Sequence, residues 1–312
     1  MRIIDRPALA PLTTLGLGGR ALAEIRLESP EDCLRLADVL AGRFRDVRVL
    51  GGGSNLLVHD GDLPFVVLRP LFGAAAQDGG AAEPEILGEE DGPDGRRTLI
   101  RAGAGMRMPR LLSWSAAHDL AGLEGLVGVP GRVGGAVAMN AGAYGCSTAP
   151  LMRSLDVFTP EQGLHTLTPD GWKATYRHFS LIEDASWYMS VSVVLSLRQA
   201  APGSVRAAMK ENFLRKKSGQ PVHEHTAGCV FQNPEGLSAG KLLDEAGMKG
   251  RRLGAMYFSP MHANFLVHDV KCGLPGRSDD ALALIREAQQ AVFERFGVRL
   301  AMEVKEWPSC PC

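Results

Sequence analysis

The stretch from Gly122 to Gly145, GLEGLVGVPGRVGGAVAMNAGAYG, allows very few kinds of structure. Glycine recurs too often for a stable helix, and the Val, Leu, Ala and Met content is too apolar for a disordered linker. At Gly131, Gly134, Gly135 and Gly142 the absence of Cβ lets backbone lie flat on a large planar ligand. A second cluster, VLGGGSNLLV at Val49 to Val58, sets three glycines after a short strand. Bare backbone there can approach a ligand, and successive N–H groups can form a nest for an anion. Alone, such a cluster is more often a tight turn between strands. It is not a Rossmann fingerprint, because an apolar run follows where a helix should open, and it lacks the Gly-Lys-Ser/Thr of a P-loop. Two such segments in one chain suggest an extended cofactor with a diphosphate and a ring.

The 312 residues (33.4 kDa) allow two or three domains. A formal net charge of −1 and a pI near 6.7 give no electrostatic reason to expect nucleic acid, and leave room for a local basic pocket for a small anion. The N-terminus does not read as a signal peptide, and no apolar run is long enough to cross a bilayer. The cysteines at 33, 146, 229, 272, 310 and 312 form no C-x-x-C pair, so neither a disulfide scaffold nor a structural zinc site is expected. The closing SCPC has groups that can bind a metal or oxidise, but at a polar chain end it reads first as a loose tail. These features point to a cytoplasmic protein with no obligate protein partner evident.

Local patterns predict an α+β chain. Strands are expected at Ala21–Leu27, Val47–Leu50, Phe65–Leu68, within Thr98–Gly105 and at Ser190–Leu197. Ser29 and Pro30 open a helix with Leu34, Ala37 and Leu40 on its core face. Further helices are expected at Pro109–Leu120, from Ser204 to near Gly219, from Ser238 to Gly247, and from a Ser278 cap to Gly297. Val298–Val304 is expected to close the chain as a strand. Phe72–Arg97, rich in Gly, Ala and acid, reads as an extended exposed loop, partly mobile and without assigned chemistry.

Beyond these patterns, the sequence closely resembles the UDP-N-acetylenolpyruvoylglucosamine reductases. The GGGSN loop stands at Gly51–Asn55 and the G-x-P-G-x-V-G-G-A-x-x-x-N-A-G-A-Y-G block at Gly128–Gly145. TTLGLGGRA, TYR at Thr175–Arg177, AGCVFQNP, SAGKLLDEAGMKG and HANFLV follow the family's order over nearly the full length. The resemblance implies an α+β, three-part FAD-binding fold of the vanillyl-alcohol-oxidase type with a C-terminal substrate-binding domain. Its parts would be residues 1–70 and 71–199 for FAD and 200–297 for substrate, with the final strand (298–312) returning to the first lobe.

The activity implied belongs to peptidoglycan precursor synthesis. NADPH reduces non-covalently bound FAD, which gives a hydride to C3 of the enolpyruvyl group of UDP-N-acetylglucosamine enolpyruvate, and a proton is added at C2. The cofactor residues implied are Gly51, Gly52, Gly53, Ser54, Asn55, Gly131, Gly134, Gly135, Ala136, Asn140, Ala141 and Gly142. The enolate-like species formed on hydride addition needs nearby positive charge and a proton source. Arg177 matches the family's carboxylate-polarising Arg and Glu303 its final-strand Glu; Tyr176 and Asn233 are expected to contact substrate, and Lys217 reads either as the solvated end of a helix or as a group near the UDP diphosphate.

Cys229 stands where the family usually has the proton-donating Ser. With an unperturbed pKa of about 8.5, a thiol is mostly protonated at neutral pH and is a far stronger acid than a hydroxyl. Read as residues alone, a lone cysteine is more often a core hydrophobe, and Arg177 and Glu303 read as surface side chains. Gln232 in place of a common Lys, the YRHFS spacing and Ala301 in place of a frequent Glu depart from the family pattern. His223 and His225 flank Glu224 without a third ligand, so no metal is expected. Two alternatives remain from sequence: another FAD oxidase or dehydrogenase on the same scaffold, or a non-catalytic FAD-binding homologue.

Overall fold

The structure is a computed structural model describing residues 1–40, 46–74 and 82–309. Cys310 and Cys312 of the tail, and residues 75–81, lie outside the described residues. The chain divides into two units, one of Met1–Ile4, Ala23–Gly52 and Phe65–Arg215, the other of Asp5–Leu22, Gly53–Pro64 and Lys216–Cys312.

In the first unit the β-branched run Met189–Gln199 occupies the middle of an antiparallel sheet. The order is Gly163–Leu167, Met152–Thr159, Met189–Gln199, Gly95–Gly103, Glu85–Gly92, with the short strand Leu120–Ala121 also on Met189–Gln199. Ile100, Val193 and Leu195 meet Leu111 and Leu112 of the helix Met108–Ala117 and Val133 and Val137 of the helix Val133–Ala138 in one core. A second core joins Ile25, Cys33, Leu36, Val66 and Leu68, beside the parallel pair Val47↔Val66 to Val49↔Leu68.

In the second unit a four-stranded antiparallel sheet runs His225–Cys229, Phe265–His268, Met256–Phe258, Arg252–Leu253. Helices Ala239–Glu245 and Ser278–Phe296 share its core, where Leu243, Ile285, Ala288 and Val292 are buried with Leu15, Leu57 and Phe231. Among the described residues no helix is long and apolar enough to cross a membrane.

Four expectations from sequence are corrected. Phe72–Arg97 is not simply a loop: Glu85–Gly92 is a strand, hairpinned on Gly95–Gly103. It shows no apolar periodicity because it is an exposed edge strand. Backbone pairing and surface ion pairs such as Arg101–Glu85 (2.9 Å) and Arg96–Glu89 (2.7 Å) hold it, and charge on an edge discourages pairing with other chains. The segment after Ser29 begins as the 3₁₀ helix Pro30–Arg35, followed by Leu36–Leu40. Three residues per turn put Cys33 and Leu36 on the core face and leave Leu34 75% exposed.

The third correction concerns the cap of the long helix, which is not the Ser278 side chain. Asp60 accepts from Ser278 N (2.8 Å) and Ser278 Oγ (3.0 Å), while Asp60 N donates to Ser278 Oγ. A distant carboxylate therefore satisfies the helix start. The fourth is the closing strand, which is Lys305–Trp307, parallel to Leu56–Val58, rather than Val298–Val304. The earlier residues form the isolated bridge Met302↔Phe231, with Gln232 N donating to Ala301 O and Glu303 N to Val230 O, and Leu300 and Val304 are buried as the alternation predicts.

Asp60→Ala should lower unfolding free energy by about 1–2 kcal/mol, the usual range for losing a helix N-cap. Urea denaturation checks this. A midpoint equal to the parent's would show that Ser278 is satisfied in another way.

Candidate active site

The two glycine blocks meet within the first unit. Backbone bonds run from Met108 N to Gly131 O, Val133 N to Met106 O and Gly134 N to Ala104 O, so residues 104–108 strap 131–134. A Cβ on Gly52 would lie 2.5 Å from Gly131 Cα, so only glycine permits this crossing. The Cβ of a substituted Gly134 would meet Ala104 Cβ at 2.9 Å. At these two positions the glycine serves contact between protein segments. Gly135 differs: a Cβ there meets nothing within 4 Å, and one on Gly51 would have Gly135 Cα as its nearest neighbour at 3.6 Å. Bare backbone at Gly135 borders open space and Gly51 lies against it without crowding, a cradle that fits a flat or phosphate-bearing group.

The end of the second block is a small ribbon, Gly142–Ala143 on Cys146–Ser147, turned at Tyr144 (φ 48°) and Gly145 (φ 79°). Positive φ at both central residues matches the twist of a tight hairpin. Asn140 spends its side chain on structure, donating to Thr175 O (2.9 Å) and accepting from Ala149 N (3.0 Å). That first bond ties the block to the hairpin Trp172–Thr175/His178–Leu181. Tyr176 and Arg177 form its two-residue turn. Arg177 sits at φ 56°, a conformation uncommon for a residue with a side chain. Its guanidinium lies 5.2 Å from the Tyr176 ring centroid, and its Nη1 would be 3.4 Å from a Cβ on Gly142. Arg177 thus lies over the partly buried backbone of Gly142. Ala136 and Ala141 are buried, and Tyr176 is exposed.

In the second unit, Cys229 ends the strand His225–Cys229, half-buried. The ladder breaks between Thr226↔Val267 and Cys229↔Phe265, with Gly228 at φ 80°. Such a bulge re-aims the following side chain, and a left-handed residue here is best supplied by glycine. Thr14 Oγ1 donates to Thr226 O (2.7 Å), and Thr14 N donates to Gly53 O (3.0 Å), so TTLGLGG links this strand to the end of the GGGSN loop.

Directly after Cys229 the backbone is clamped. Asn264 O accepts from Val230 N (2.8 Å), and the Asn264 side chain accepts from Phe231 N (2.9 Å) and donates to Phe231 O (2.8 Å). Val230 O accepts from Glu303 N (2.8 Å), and Glu303 O accepts from Asn55 Nδ2 (3.1 Å). Cys229, Glu303 and Asn55 therefore belong to one bonded neighbourhood. Asn233 and Lys217 are not drawn into it by these bonds: Asn233 Oδ1 accepts from Ala239 N (3.0 Å) at a helix start, and Lys217 is exposed. The buried lysine of that run is Lys216.

Asn264 was legible only as part of HANFLV, where nothing but a fold could assign it a partner. Its N–H donates to His262 Nδ1 (3.2 Å). Burial, assisted by Lys249, holds the His262 pKa below 6.5, which keeps the ring neutral and Nδ1 able to accept. Among the described residues no group of three His, Cys, Asp or Glu is placed to hold a metal ion.

Two predictions test this geometry. Gly52→Ala should destabilise the protein by about 1–3 kcal/mol through overpacking. Gly135→Ala, within a helix and facing open space, should be neutral or stabilise by up to about 1 kcal/mol, yet weaken ligand binding. Thermal melts and flavin titration separate the two, and a Gly135→Ala protein with parental affinity would remove that cradle. The second follows from His262. A group with a lowered folded pKa stabilises fully above its unfolded value of about 6.5, and the contribution is lost as pH falls through the folded pKa. His262→Gln should flatten that part of the stability–pH profile; an unchanged profile would mean the ring does not titrate there.

The chain is similar to known proteins over most of its length. Residues 220–307 match the family described as UDP-N-acetylenolpyruvoylglucosamine reductase, C-terminal domain, and residues 21–168 match an FAD binding domain. A UDP-N-acetylenolpyruvoylglucosamine reductase of Nitratidesulfovibrio vulgaris is 44% identical over 98% of both chains. One from Deinococcus radiodurans is 37% identical over 98% of this chain and 96% of its own. The crystal structure of the UDP-N-acetylenolpyruvylglucosamine reductase of Thermus caldophilus superposes with a TM-score of 0.77 at 34% identity, covering 99% of this chain and 100% of that one.

Proposed function

The chain belongs to the UDP-N-acetylenolpyruvoylglucosamine reductase family, and from that premise we propose that it reduces UDP-N-acetylglucosamine enolpyruvate to UDP-N-acetylmuramate, with NADPH as donor, in cytoplasmic peptidoglycan precursor synthesis. The observation that carries this reading is the match to reductases of that name over 98% of both lengths. The FAD-binding match over residues 21–168 and the cradle at Gly51 and Gly135 agree with it. Residues 1–70 and 71–199 would serve FAD and residues 200–297 the substrate.

The glycine-rich segments around Gly51 and Gly135 would hold FAD non-covalently, and when bound it would supply the hydride-transfer chemistry that links NADPH to substrate C3. The chain's own residues then have defined tasks. Glycine backbone at Gly51 and Gly135 leaves the cofactor room. Arg177, a planar fork of N–H donors, holds the substrate carboxylate and offsets negative charge as it grows toward the enolate. Cys229 gives its thiol proton to C2, its direction set by the bulge at Gly228 and its backbone surroundings held by the Asn264 clamp. Glu303, bonded through its backbone to Val230, is the acid that acts beside it. Tyr176, Asn233 and Lys217 complete the proposed contacts to the UDP-sugar.

The test is anaerobic. Adding NADPH to the FAD-loaded protein should bleach the flavin, and UDP-N-acetylglucosamine enolpyruvate should restore it. Bleaching without recovery would indicate a different substrate, and no bleaching would indicate a non-catalytic FAD protein. Cys229→Ser should retain substantial turnover. Cys229→Ala, Arg177→Ala and Glu303→Gln should each slow recovery by about 10²-fold or more while leaving bleaching mostly intact, because acid–base and charge-stabilising groups act only once the enolate develops. Equal damage to both phases would make these residues structural.

A further inference from the structure

Beside the crossing of the glycine blocks, the first unit holds more guanidinium than carboxylate. Arg132 and Arg107 are directly opposed across the strap, as an antiparallel bridge pair. Arg132 is half-buried, and Nη1 donates to Gly105 O. Arg69, at the end of the strand Asp62–Pro70, donates from Nη1 to Glu24 Oε1 (2.7 Å), but its buried Nε has no partner among the described residues. Glu24, 1% exposed, is shared with Arg26 (2.8 Å). Arg107 and Arg132 have no carboxylate partner among the described residues, and Arg107 is exposed.

Burial, and after it the charges of Arg69 and Arg107, lowers the Arg132 pKa. The charges acting on Arg132 are thus both cationic. Gathering cations in a partly desolvated place is unfavourable unless an anion joins them. The place is also specific: Arg132 N lies 3.3 Å from where a Gly52 Cβ would be. A ligand resting on the bare backbone of the glycine blocks would bring its phosphates to this edge.

We infer that Arg132, Arg107 and Arg69 form a phosphate-binding site at the glycine crossing, which takes the diphosphate of FAD. Arg132 and Arg107 donate to the phosphate oxygens, and Arg69 contributes charge and its Nε–H. This rests on the FAD reading above and adds a binding group, guanidinium, to what the glycine backbone supplies. Planar guanidinium forks suit phosphate oxygens, and charge-assisted hydrogen bonds are the stronger kind.

The experiment is titration of the full chain with FAD and, separately, with riboflavin, which has the ring and no phosphate, followed by flavin fluorescence. For Arg132→Gln and Arg107→Gln the expected result is about 10- to 100-fold weaker FAD binding with riboflavin affinity within about 2-fold of the parent. Arg132→Lys should recover part of the loss. Should Arg132→Gln fail to fold, the exposed Arg107→Gln carries the test. FAD affinity unchanged, with NADPH losing its advantage over NADH in flavin reduction, would assign the site to the phosphate of NADPH and overturn the FAD assignment. FAD affinity and NADPH preference both unchanged would overturn the site altogether. A parent protein that binds no FAD would instead defeat the reading on which this rests.

Discussion

The backbone contact of Gly52 on Gly131 is the constraint on which the architecture of the first unit turns. One added carbon would sit 2.5 Å from the facing Cα, a distance that atoms do not adopt without moving backbone. The contact holds the loop after Val47–Val49 against the segment that opens the helix Val133–Ala138. The cradle at Gly51 and Gly135 follows from it, as does the position of Arg132 one residue beyond the crossing. The strap of residues 104–108 makes the arrangement rigid with ordinary backbone hydrogen bonds.

A comparable economy appears in the second unit. Asn264, 2% exposed, satisfies both backbone groups of Phe231 with one side-chain amide, and its carbonyl takes Val230 N. Val230 in turn bonds Glu303 N. A buried amide with each group paired is well placed to specify a unique geometry, since leaving any of these groups unpaired in the interior would be costly. The chemistry proposed for Cys229 and Glu303 depends on this clamp and on the bulge at Gly228, although none of those groups would touch the reacting atoms.

Much of the secondary structure was legible because apolar periodicity and caps are local. The helix Ser278–Phe296 ends at a left-handed Gly297, and the strand Met189–Gln199 spans the run Ser190–Leu197 expected as a strand. The misses have physical reasons. Neither the edge strand Glu85–Gly92, hairpinned on Gly95–Gly103, nor the closing strand Lys305–Trp307, held by Leu56–Val58 far away in sequence, bears the alternation of a half-buried strand. The Asp60 cap comes from 218 residues away, and a sequence window sees only Ser278.

The sequence by itself determined the family, the two glycine blocks and the cysteine in place of a serine, because these are matters of residue type and order. It also contained Arg132, within VPGRVGG, but the glycines around it drew the reading. Only the tertiary structure decided which glycines serve packing and which border open space, that Lys216 rather than Lys217 is buried, and that Asn140, Asn233 and Asn55 engage backbone. The reason is physical. A glycine's purpose lies in what a Cβ would strike, and a polar side chain's purpose in the group it meets. Both belong to neighbours that become neighbours only on folding.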